Sequence, residues 1–148
     1  SEMCIRDSPE LVEECFRRVN HKRLRNRIHA LSREKALPFV LETAHRRRLD
    51  EWLDVGTASS CPRKLAAIYL LSSSAGIWRL VHPCVTQGAI DFSSVSLRGI
   101  DSQEYPVYRA AKGLYTGKLL LTAEELADEG QISSDALGVI LNAMLIAR

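Results

Sequence analysis

Arg63-Lys64-Leu65-Ala66-Ala67-Ile68-Tyr69-Leu70-Leu71-Ser72-Ser73-Ser74 is the stretch that sets the fold. From Leu65 to Leu71 every residue is apolar or aromatic, so a helix built from them leaves no side for water. Such a segment belongs in the middle of a packed domain. The triple serine interrupts it and offers a hydroxyl to cap the next turn, where Ile77, Trp78 and Val81 form a stripe. His82-Pro83 closes that element, because a residue before proline avoids the helical region.

Toward the C-terminus, Gly88 to Ile100 carries the weakest periodicity. Ile90, Phe92 and Leu97 are expected inside, and a short strand and a short helix both fit. Pro106 opens a helix on which Val107, Tyr108, Ala111, Leu114 and Tyr115 share a face, and Gly117 ends it. Thr122-Ala123-Glu124-Glu125 is a capping box, with the Thr hydroxyl on the third amide and Glu125 reaching back. The helix it starts is expected to stop at Gly130 in the left-handed conformation. Ser133 or Ser134 caps the last helix, with Leu137, Ile140, Leu141, Met144 and Leu145 inward.

Toward the N-terminus, Gly56 to Pro62 reads as a loop. Ahead of it, Leu37, Val40, Leu41 and Ala44 predict a helix from about Arg33 to Asp54, kinked at Pro38, with Ser32 as its cap. Leu24, Ile28 and Leu31 form an earlier stripe. Val12, Phe16 and Val19 form another behind the Ser8-Pro9-Glu10 start. On one continuous helix these two stripes would sit about 120° apart, so a break is expected at Asn20-His21. The fold class is therefore all-α: a single bundle of six or seven helices with an irregular segment near 84–104. Residues 9–148 are read as one domain, basic helices over 9–55 leaning on a helical core over 63–148.

Residues 63–148 resemble a family of small, mostly helical proteins of bacterial genomes, prophages and mobile elements. The likeness rests on Ala67 to Ser72 (Ala-x-Tyr-Leu-Leu-Ser), on Ala111 to Gly117 (Ala-Lys-x-Leu-Tyr-x-Gly) and on Asn142-Ala143 in the last helix. The basic run from His21 through His45 is also family-like. The resemblance implies a mostly helical fold and a phage-like origin, and it assigns no site. Ser1 to Ser8 resembles translated adapter sequence from a metagenomic assembly, so residues 1–8 are expected to be a non-native leader.

With 148 residues and 46% apolar content, the chain can bury a core without a staple. The longest apolar run, Ala136 to Ala147, is 12 residues, short of the about 20 that cross a bilayer. Leaving Cys4 aside, Cys15, Cys61 and Cys84 have unrelated spacings and no partner scheme. A cytoplasmic protein with no membrane segment is expected.

The net charge of +2 hides a strong asymmetry. Arg17 to Arg48 hold 11 Lys or Arg against two acids, a net of +9, while 101–148 carry a net of −3. Nine of those 11 bases are arginine, whose planar fork suits phosphate or carboxylate. The candidate anion-binding residues are Lys22, Arg23, Arg25, Arg27, Arg33, Arg46, Arg47 and Arg48. On a helix bearing the Leu24, Ile28 and Leu31 stripe, the first five fan over the remaining arc. Nucleic acid is the leading partner, an acidic protein the alternative. A solvated face that pairs with the acidic second half would account for the same charges.

Enzymatic chemistry finds little purchase. No phosphate loop, nucleophile elbow or paired-acid signature is present, so no catalytic residue and no cofactor is assigned. His82, Cys84 and Cys61 could supply three metal ligands, but without a Cys-x-x-Cys or His-x-x-x-His pair they read as ordinary side chains. His29 and His45 could serve as bases, though nothing in the sequence selects them. The hairpin over 122–147 superficially resembles a helix-turn-helix. Its second helix opens on Ser134-Asp135 and a core face, which does not suit a major groove.

Overall fold

The structure, a computed structural model, describes residues 21–34, 43–53, 61–86, 89–118 and 121–147. They form seven α-helices: α1 (Lys22–Glu34), α2 (Thr43–Leu53), α3 (Pro62–Leu71), α4 (Ala75–Val81), α5 (Tyr105–Thr116), α6 (Ala123–Ala127) and α7 (Ser134–Ala147). The protein is all-α. Between α4 and α5 the chain makes single 3-10 turns at His82–Cys84 and Phe92–Ser94. Between those turns, Val85–Thr86 pairs antiparallel with Ala89–Ile90. Both alternatives for the irregular segment are thus present in miniature, and Ile90 and Phe92 are buried there.

The central element is α3. Six successive residues, Ala66 to Leu71, are buried, as an all-round apolar helix requires. It packs chiefly against α5 and α7, and α5 also meets α7. Pro62 opens α3 at the first helical position, where a missing N–H does no harm. Gly117 closes α5 with φ +84°, a left-handed residue whose amide returns to the Gly113 carbonyl. The Thr122 capping box forms in full at the start of α6.

Because the C-terminal end of α3 is buried, its last carbonyls need protein partners. No glycine stop provides them. The Ser72 amide takes the Ile68 carbonyl, and the Ser73 amide and hydroxyl both take Leu70, the latter at 2.6 Å. The Tyr69 carbonyl accepts from the Ser72 hydroxyl at 3.1 Å and lies 3.1 Å from His45 Nε2 of α2. The Ser72 carbonyl accepts from Arg48 Nε at 2.7 Å. On the other side, the Tyr69 hydroxyl accepts from Asn142 Nδ2 of α7 at 3.2 Å. One tyrosine thereby joins three helices through polar groups that water does not reach.

Three local expectations change. Gly130 is not left-handed: among the described glycines only Gly99 and Gly117 have positive φ. Helix α6 ends earlier, at Ala127, because Asp128 turns the chain. Its Oδ1 accepts from the Gly130 amide at 2.8 Å and its Oδ2 from Gln131 Nε2 at 3.0 Å. Ser32 lies within α1, which runs on to Glu34, so no helix starts at Arg33. The Ser8-Pro9 helix start, the Pro38 kink and most of the Gly56 loop fall outside the described residues.

His45 is fully buried and its ring lies 5.2 Å from the Tyr69 ring. His45→Ala, which removes both the ring packing and a donor to a buried carbonyl, is expected to cost about 3 kcal/mol in urea unfolding. Full stability in that variant would mean the α2–α3 junction does not depend on the imidazole.

Candidate functional site

Helix α1 buries Leu24, Ile28 and Leu31, the stripe the sequence sets out, against the α6 region. His21 starts it: its Nδ1 accepts from the Leu24 amide at 3.2 Å and its carbonyl from the Arg25 amide. Lys22, Arg23 and Arg25 lie exposed in the first turns; the first turn of α1 contains no acid of its own, and Asp128 of the α6–α7 turn interacts with Arg23. Arg33 lies in the last turn of α1.

Arg27 does not join that exposed set. Only 9% of it is accessible, and its guanidinium points into the α6–α7 turn. Nη1 donates to the Leu126 carbonyl at 2.7 Å and Nη2 donates to the Ile132 carbonyl. Burial lowers the Arg27 pKa, and the nearby Glu129 and Asp128 carboxylates partly offset that shift. The fork of one arginine thus closes the turn between two helices and seats a third on it.

On α2 the three consecutive arginines divide. Arg46 and Arg47 are exposed. Arg48 is half-buried, with the Ser72 carbonyl as an acceptor. Arg46 Nε lies 3.3 Å from Asp50 Oδ1 one turn on, with the two side chains 60% and 50% exposed. At that exposure the pair is worth a few tenths of a kcal/mol, so it holds Arg46 only loosely. Of the eight candidates, Lys22, Arg23, Arg25, Arg46 and Arg47 therefore stand outward, and Arg27 and Arg48 serve the fold.

The other chemistry-bearing residues are dispersed. Cys61 is exposed and Cys84 half-buried. Exposed His82 stacks on Trp78 at 5.0 Å. Burial raises the Tyr108 pKa, with Cys84 and Tyr105 adding to the effect. Among the described residues no group of three or more His, Cys, Asp or Glu is placed to hold a metal ion. No described helix is long and apolar enough to cross a membrane.

A cleft of about 330 Å³ opens between the start of α5 and the α6–α7 turn. Tyr105, Arg109, Glu125 and Gln131 line it. Arg109 Nη1 bonds Glu125 Oε2 at 2.9 Å, and its Cζ stands 5.7 Å from the Tyr105 ring centroid. The composition of the chain gives no hint of this cleft. The signal available was the i,i+4 spacing of Tyr105 and Arg109, which places a guanidinium over a ring on one helix face.

No protein-family model, curated protein or solved structure matches the chain. The reading of function therefore rests on the geometry.

Two outcomes test this geometry. Arg27→Ala strips two carbonyls of a charged donor and is expected to cost about 3 kcal/mol. Arg27→Lys should recover less than half of that, since a point charge cannot fork across both acceptors. Acidification is the second. The Thr122 backbone amide and then Arg109 hold the Glu125 pKa below its ordinary value, and the Gly130 amide and Gln131 do the same for Asp128. A depressed carboxylate lends stability above its unfolded pKa and loses it as pH falls. Unfolding midpoints should hold above about pH 5 and drop toward about pH 3. The drop should be shallower in Glu125→Gln.

Proposed function

We propose that the protein is a non-enzymatic accessory protein that docks a nucleic-acid backbone on the exposed bases of α1 and α2. The single observation that carries this reading is the placement of Lys22, Arg23 and Arg25. They crowd the start of a helix, where the macrodipole is already positive and no acid of α1 shares the first turn, although Asp128 faces Arg23 from the α6–α7 turn. Cations there are unfavourable by roughly 0.3–1 kcal/mol each. A bound phosphate would relieve that strain and would also meet the helix dipole. Arg46 and Arg47 add a second exposed pair on α2. On the resemblance of residues 63–148, such a protein would belong to a phage or mobile element.

The charge asymmetry supports the sign of the partner. The exposed donors are mainly arginine forks, which suit the phosphates of nucleic acid and the carboxylates of an acidic protein alike, and α1 interleaves no aromatic residues among them. That same lack disfavours stacking on single strands along α1.

Fluorescence anisotropy with labelled duplex DNA and RNA is the test. Affinity is expected to fall steeply from about 50 to about 200 mM salt, as released counterions demand. Replacing Arg25, Arg46 and Arg47 together by alanine should weaken binding about tenfold or more, and the salt slope should fall by about one for each phosphate no longer neutralised. The thermal midpoint should fall only slightly, since the Arg46–Asp50 pair lost with it is exposed and weak. Affinity that is flat with salt overturns the reading. So does a partner that co-purifies after nuclease treatment while no nucleic acid binds, which would favour the acidic-protein alternative.

A further inference from the structure

We propose that α1 enters the major groove of B-form DNA and reads base edges with the crest of the helix that faces away from the core. The inference rests on the nucleic-acid reading of this helix and carries it from the phosphate backbone to the bases. The first ground is where the polar side chains stand. At about 100° per residue, Lys22, Asn26 and His29 share one line, opposite the buried line of Leu24, Arg27, Ile28 and Leu31. All three are exposed. Arg25 and Arg23, exposed as well, flank that crest on its two sides, and Ala30 keeps the Arg23 side small. A helix laid in a groove meets bases along its crest and the two phosphate strands along its flanks.

The second ground is the chemistry of the crest. Phosphates and carboxylates only accept hydrogen bonds. An asparagine amide offers a donor and an acceptor together, which half-suits either of them and fully suits the N6 and N7 edge of adenine. The lysine ammonium suits O6 and N7 of guanine. No acid lies on α1 before its last residue, Glu34. A face built for phosphate alone would gain nothing from an amide at the middle of its crest.

The third ground is size. From Lys22 to His29 the crest runs about 10 Å, the length of about three base pairs at about 3.4 Å each. The B-form major groove, about 12 Å wide, admits a helix, whereas that of an RNA duplex is too narrow for side chains to read. An acidic peptide offers acceptors alone and would leave the Asn26 acceptor unused. B-form DNA matches the crest in both shape and chemistry. Asp128 faces Arg23 from the α6–α7 turn, so on that flank a carboxylate shares the guanidinium with the phosphate strand.

The experiment is selection by the full chain from a pool of randomised DNA duplexes. Fluorescence anisotropy then compares the selected duplex, a scrambled duplex and an RNA duplex of the selected sequence at one salt concentration. A consensus of about three or four base pairs that includes an adenine is expected, bound about a hundredfold or more above the scrambled duplex. The RNA duplex should bind no better than the scrambled DNA. Asn26→Ala should cut the preference about tenfold, the worth of one bidentate base contact, and relax the choice of adenine. Alanine is the better helix former, so the fold is not at risk. Arg25→Ala, on the flank, should weaken both DNA duplexes together and lower the salt slope by about one. The proposal is overturned by a pool that yields no consensus, by RNA bound as tightly as the selected DNA, or by a preference that survives Asn26→Ala. Salt-sensitive binding to every duplex alike sinks the groove and leaves the backbone reading in place, whereas binding to no duplex removes both.

Discussion

A helix that is apolar all round can be buried, but its ends cannot be buried without partners. The last carbonyls of α3 lie inside the protein, and each one left without a donor would cost about 1–3 kcal/mol. The chain answers with Ser72 and Ser73 from the same stretch of sequence and with His45 and Arg48 from α2. This requirement fixes where α2 must lie. It also draws the Tyr69 hydroxyl toward Asn142, so that α7 is held by its one polar core residue. The apolar surfaces supply the drive to pack. The polar contacts around Tyr69 choose among the packings.

The same logic sorts the arginines. Arg27 and Arg48 are drawn inward because backbone carbonyls at helix ends need donors, and a guanidinium can reach from a neighbouring helix to provide them. Their neighbours in sequence point elsewhere on the helical wheel and meet solvent. A basic run is thus two things at once: part scaffold, part surface. Counting charges over 17–48 overstates the surface field, since some of that charge is engaged at the α6–α7 turn and at the end of α3.

Much of the architecture was legible in the residues. The Leu65 to Leu71 run, the stripe of Leu24, Ile28 and Leu31, the Thr122 capping box and the proline and glycine limits of α5 each express a local rule, and local rules survive folding. Asp128 shows where such rules compete. Gly130 is a good helix stop, but an aspartate two residues earlier captured the Gly130 amide and ended α6 first. What the sequence could not display is pairing at long range. Arg27 lies 99 residues from Leu126, and Tyr69 lies 73 from Asn142. What sets Arg27 apart from Arg23 and Arg25 is helical spacing: it lies three residues after Leu24 and four before Leu31, along the buried stripe itself. The cleft was invisible because its two walls come from separate segments.

The α6–α7 turn concentrates these constraints. Asp128 shapes it through Gly130 and Gln131, and Arg27 closes it through Leu126 and Ile132. Its outer wall carries the acceptors that line the cleft. Asp128 also feels the charge of Arg23, which lowers its pKa further. The acidic second half is therefore not a diffuse counterweight to the basic first third. Two of its carboxylates, Asp128 and Glu129, sit beside the guanidinium that seats α1, while Glu125 turns the other way, to Arg109. A single short turn thus separates the basic helix α1 from a cleft lined by the Arg109–Glu125 pair, and the acids read along the second half of the sequence are divided between its two sides.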